Sequence, residues 1–213
     1  MKKLFVVALA LLVCSCTATV GRDVSKDMTS IPTGKGVVVF STAAFDPSSD
    51  FTNSTSLHLV EGPSRKVYDK VIVPINSQFN SYDFPNESGK VRSLTLPEGY
   101  YYFVPIPNST YACAIDMPIY RFSVKSDSIS YIGNFLLTSG APALTALGKI
   151  ERAVHISLSD TPMRRDVDFF LRSNPSLKKY SISENLPEKI ENPGYNCSFL
   201  NSNFITGIIF SLP

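Results

Sequence analysis

Apolar residues recur at every second position, in short runs, along most of this chain, and that periodicity constrains its fold more than any other feature. Alternation at period two marks a strand with one face buried, because successive side chains point to opposite sides of a sheet. The stretch "SLHLV" sets Leu57 and Leu59 against His58, and "KVYDKVIV" places Val67, Val71 and Val73 on one side. In "VRSLTL", Leu94 and Leu96 oppose Ser93 and Thr95. Further on, "IYRFSV" gathers Tyr120, Phe122 and Val124 on one face, and "RAVHISL" groups Val154, Ile156 and Leu158 opposite His155. By contrast, "GVVVFS", Gly36 to Ser41, is apolar on both faces, as a strand covered on both sides should be.

Turn residues separate these runs. Fifteen prolines and eleven glycines are spread along the 213 residues instead of clustering, which favours many short elements over a few long helices. Pro97-Glu98-Gly99 is a tight-turn signal, and "YYYFV" after it reads as the second arm of a hairpin begun by "VRSLTL". "KSDS" makes another turn before "ISYIGNFLL", and the largely apolar nine-residue run from Phe204 to Leu212 reads as a terminal strand. The expected fold is all-β: an antiparallel β-sandwich, or a barrel, of about eight strands in a single domain over 36–213.

One segment departs from period two. In "SDTPMRRDVDFFLRSNP", Thr161 can cap, Pro162 can take the first helical position and Asn174-Pro175 stops the run. Met163, Val167, Phe170 and Leu171 fall at helical spacing, which predicts one short helix near 162–172 lying on the sandwich. Asp168 and Arg172 form an acid-before-base pair four residues apart.

The N-terminus has a different character. Lys2 and Lys3 precede an unbroken apolar run of ten residues, Leu4 to Val13, in the outline of a secretory signal peptide. Ten residues are too few for a permanent membrane helix, which needs about 20. The run ends in Val13-Cys14-Ser15-Cys16, which resembles the lipobox of bacterial lipoproteins. Cys16 fits the modified position, with small Ser15 before it and Val13 in the aliphatic slot, whereas bulky Val13 would sit immediately before a cut at Cys14. The resemblance implies a signal peptide over 1–15 and a diacylglyceryl thioether on Cys16, with several acyl chains giving stable anchoring. It also implies sorting to the outer membrane, since Thr17 stands where Asp would retain the protein at the inner one. Cleavage after Ala18, releasing a soluble product, is the competing reading.

Removal of residues 1–15 changes the charge balance. The basic count falls from 20 to 18 and equals the 18 acidic residues, so the mature chain is formally neutral and carries no electrostatic footprint for nucleic acid. Residues 16–35 are polar, with Gly21, Pro32 and Gly34, and read as a lipidated end and flexible tether of roughly 25 Å mean span. With Cys14 removed and Cys16 acylated, Cys113 and Cys197 remain in an oxidising compartment. They form either a disulfide or two buried free thiols.

Taken together, "LTLPEGYYYFVP", "YRFSVKSDSISYIGNFLL" and a helix with Arg and Asp after "VHISLSD" resemble a widespread class of bacterial envelope lipoproteins. The resemblance covers roughly residues 36–172 and implies a transthyretin-like or immunoglobulin-like domain, with no reaction attached to it.

Catalytic patterns are scarce. His58 and His155 lie far apart with no second ligand at metal spacing, so neither a metal site nor a cofactor is expected. Ser176 and Lys179 match S-x-x-K without its companion motifs, which makes it a chance spacing. Arg164, Arg165, Asp166 and Asp168 read as the solvated face of the helix. Tyr100, Tyr101, Tyr102 and Tyr120 read as core and cross-strand pairs more than as a binding platform. The expected role is non-enzymatic: a membrane-anchored module that binds or scaffolds an envelope protein partner. A lipoprotein subunit of a secretion or adhesion assembly is the alternative, and a cryptic envelope hydrolase the third reading.

Overall fold

The structure, a computed structural model, describes residues 24–45, 54–74, 83–84, 89–107, 112–114, 118–144, 150–159 and 162–191. In chain order these form β1 (Lys35–Phe45), β2 (Ser54–Glu61), β3 (Val67–Pro74), β4 (Gly89–Pro97), β5 (Gly99–Pro107) and β6 (Ala112–Ala114). Then follow β7 (Ile119–Val124), β8 (Ile129–Leu144), β9 (Ile150–Ser159), the helix α1 (Met163–Ser173), a 3-10 turn (Pro175–Lys179), β10 (Ile182–Glu184) and β11 (Glu188–Ile190). The strands make two sheets: one ordered β4-β1-β8-β9-β6 with β10 also on β8, the other ordered β11-β7-β5-β2-β3.

The alternating residues meet between the sheets. Val38, Phe40, Leu94, Leu96, Phe135 and Leu137 of the first pack against Leu57, Leu59, Tyr101, Phe103, Tyr120 and Phe122 of the second. Aromatic rings hold the centre, with Phe103 lying 5.2 Å from Phe40, 5.1 Å from Phe122 and 5.4 Å from Phe135 between centroids. A second apolar layer lies on the other side of the first sheet, where Val37, Val39, Ile129 and Tyr131 meet Val167 and Phe170 of α1. β1 is therefore covered on both faces, as its doubly apolar sequence requires.

The expectation of a purely antiparallel sandwich is not met. The second sheet is antiparallel throughout, but in the first β1 runs parallel to β8, β10 parallel to β8 and β6 parallel to β9. Period two is the same for both directions, so alternation reveals a buried face and leaves strand direction open. The expected hairpin is also corrected: β4 pairs with β1 in one sheet, while β5 pairs with β2 and β7 in the other. Pro97-Glu98-Gly99 thus carries the chain across the core from sheet to sheet. Leu94, Leu96, Tyr101 and Phe103 are buried in either arrangement, side by side in a hairpin or facing each other across the core, which is why the sequence does not separate them. Tyr101 closes this link by donating its hydroxyl to the Pro97 carbonyl at 3.0 Å.

A third correction concerns the tether. The span 16–35 was expected to be flexible, but Val24 and Ile31 are buried beneath the α1 layer. Two apolar side chains in a polar stretch have no period, and only the complementary surface of the sheet shows what they are for. Cys16 and Cys197, the signal segment, Thr161 and the run Phe204 to Leu212 lie outside the described residues.

Candidate functional site

The layer on the first sheet concentrates the buried polar groups of the described residues. The apolar stripe of α1 is as expected, with Val167 and Phe170 buried and Met163 and Leu171 packed beside them. Asp166 lies on that stripe too, three residues after Met163 and four before Phe170, and its side chain is 0% exposed. Its carboxylate accepts the Tyr131 hydroxyl at 2.9 Å and the Arg165 Nε–H at 2.9 Å, in the first turn of the helix where the dipole favours negative charge. The Arg165 guanidinium lies over the Phe84 ring at 3.9 Å, with its side chain 30% exposed. The sequence reading placed Asp166 on a solvated face. Helical spacing was the missed signal, because it puts a carboxylate among residues that must be buried.

Tyr131 reaches Asp166 because β8 carries a bulge. Between Val39 and Ser41 of β1, which pair with Tyr131 and Asn134, β8 has one extra residue. Gly133 occupies the bulge at φ +101°, where a Cβ would stand 2.7 Å from Leu158 Cδ1. The insertion reverses the parity of the strand: Ile129 and Tyr131 face α1, whereas Phe135 and Leu137 face the sandwich core. It also sets Asn134 beside Ser41, whose hydroxyl donates to Asn134 Oδ1 at 2.9 Å. An isolated glycine within a strand pattern was the legible sign.

Burial, then the Asp166 charge and the hydrogen bond to it, push the Tyr131 phenol well above its ordinary value of about 10. The folded chain holds this proton more tightly than the unfolded one, so the contribution is whole below about pH 10 and is lost as pH rises further. The urea midpoint is expected to fall with alkalinisation above about pH 10, and Tyr131→Phe to reduce that slope. Equal slopes in the two proteins would show that Tyr131 is not the group responsible.

Asn174, at the end of α1, is the second buried polar device. Its Nδ2 donates to the Phe170 carbonyl at 3.0 Å, closing the helix, and to the Ser25 carbonyl at 2.6 Å, while its Oδ1 accepts the Met28 N–H at 3.0 Å. Asp27 N–H donates to the Ser173 carbonyl at 3.1 Å, Ser25 N–H to Ser93 Oγ at 2.9 Å and Ile31 N–H to the Tyr180 hydroxyl at 3.1 Å. One asparagine thus stops the helix and clamps the segment that leads back toward Cys16.

The remaining candidates disperse. His58 lies on β2 in the second sheet and His155 on β9 in the first, each half-buried. Ser176 and Lys179 sit exposed on the 3-10 turn. Tyr101 and Tyr120 are buried in the sandwich core, Tyr102 is buried on the outer side of the second sheet, and half-buried Tyr100 lies edge-on to it at 5.9 Å. Cys113 has its backbone in β6 beside Ala153, and its pairing with Cys197 falls outside the described residues. Among the described residues no three of His, Cys, Asp and Glu gather into a metal-binding group, and no helix is long and apolar enough to cross a membrane.

Comparison with protein-family models, with curated proteins and with solved structures finds no match.

Proposed function

We propose that this chain is a lipid-anchored envelope protein, acylated on Cys16, whose folded part acts by binding or scaffolding another envelope component. The observation that carries the reading is the apolar run Leu4 to Val13 ending in Val13-Cys14-Ser15-Cys16. The fold supports it by how soon after that cysteine a buried residue occurs. Val24 is buried against the first sheet, eight residues after Cys16 in the sequence. Eight peptide steps reach at most about 29 Å, so the domain stays close to the bilayer surface. Binding is favoured over catalysis because the buried polar groups Asp166, Tyr131 and Asn174 are engaged in joining α1 and the N-terminal segment to the sheet. Thr17 after the cysteine favours the outer membrane.

Cells fed an alkyne-bearing fatty acid are expected to label this protein, and Cys16→Ser to abolish the label. Label persisting in that variant would place the acyl chain elsewhere and overturn the reading.

A further inference from the structure

The N-terminal segment does not enter the domain at a neutral place. Lys26 stands next to Asp27, whose N–H is bonded to Ser173, and Ser173 follows Arg172 in the last turn of α1. Asn174 then leads into the 3-10 turn with Lys178 and Lys179, and Tyr180 after it binds the same N-terminal segment at Ile31. Lys26, Arg172, Lys178 and Lys179 are all exposed. Among the described residues none of the four is in an ion pair. Three exposed carboxylates border the corner, Asp27, Asp168 and Glu98, whose N–H bonds the Gly34 carbonyl, so the four cations exceed the anions by one. In the seven residues before Val24, Arg22 and Asp23 cancel. Arg172 complements the C-terminal end of the α1 dipole and lies 5.8 Å from the Phe169 ring centroid, and Lys179 lies 5.4 Å from that of Tyr180, but neither effect explains Lys26 or Lys178.

We propose that this corner, formed by the 24–34 segment, the end of α1 and the 3-10 turn, rests on anionic phospholipid headgroups through Lys26, Arg172, Lys178 and Lys179. The inference rests on the acylation of Cys16, which lies eight residues before Val24, where the described part of this corner starts. Basic residues beside a lipid anchor supply a second, electrostatic attachment. That attachment fixes the orientation: the end of α1 and the 3-10 turn face the membrane.

The test uses the mature chain, residues 16–213, carrying Cys16→Ser, so that no acyl chain contributes to binding. Co-sedimentation is measured with phosphatidylcholine vesicles and with vesicles of mixed phosphatidylglycerol and phosphatidylcholine. Preference for the anionic vesicles is expected, declining with added salt. Each cation near such a surface contributes about fivefold (about 1 kcal/mol). Lys178→Glu with Lys179→Glu should therefore weaken binding by tens of fold or more, while Lys66→Glu in the β2–β3 turn of the second sheet changes it little. No preference for anionic vesicles, or equal losses in the two variants, would overturn the proposed orientation. Either result would leave the anchor standing if fatty-acid label is still lost with Cys16→Ser. Absence of label from the wild type would remove the anchor itself.

Discussion

Asp166→Ala is expected to lower stability by about 3 kcal/mol, near the lower end of what breaking a buried ion pair costs. The substitution leaves the buried Tyr131 hydroxyl without its acceptor and opens a small cavity between α1 and the sheet. Arg165 loses its partner as well, but it is 30% exposed and can turn to solvent, which keeps the loss from reaching the top of that range. Urea unfolding should show a lower midpoint at unchanged slope. Asp166→Asn, which keeps an acceptor in nearly the same shape, should cost less. Adding Tyr131→Phe to Asp166→Ala should cost less than the sum of the two single changes, because the second removes the donor that the first orphaned. A loss below about 1 kcal/mol for Asp166→Ala would mean that the apolar stripe alone holds the helix to the sheet.

Phe103→Ala is expected to cost about 3–5 kcal/mol, a large part of the roughly 5–15 kcal/mol that holds a domain folded. Phe103 is 0% exposed and touches rings from both sheets: Phe40 and Phe135 in the first, Phe122 in the second. Its removal forfeits buried apolar area and leaves a void that neighbours anchored in two hydrogen-bonded sheets cannot close. Phe103→Leu, which refills part of that volume, should recover a substantial share of the loss. The thermal midpoint is the simplest readout, and a Phe103→Ala midpoint within a few degrees of wild type would show that the two sheets are not held together at this point.

Much of this architecture is legible from local pattern. Alternation in "SLHLV", "IYRFSV" and "VRSLTL" names the side chains that fill the core, and they are the ones found there. The stripe of Met163, Val167, Phe170 and Leu171, ended by Asn174-Pro175, identifies the helix nearly to the residue. These signals are read within a few residues of chain, because each depends only on which side chains a strand or a helical turn brings to one face.

What tertiary structure alone decided are the relations between distant segments. Direction in the first sheet depends on how β1 and β8 return to each other from just over ninety residues apart, and period two is blind to it. Whether Pro97-Glu98-Gly99 makes a hairpin or a crossing between sheets depends on partners supplied by β1, β2 and β7. Asp166 gains its place from Tyr131, turned toward it by the bulge at Gly133, and Asn174 from a segment about 150 residues earlier in the chain. The sequence by itself determined the strands, the helix and, through Val13 to Cys16, an expected address at a membrane. Packing decided how the layers join and how the 24–34 segment is held to the end of α1, because both are set by contacts between surfaces that no local period records.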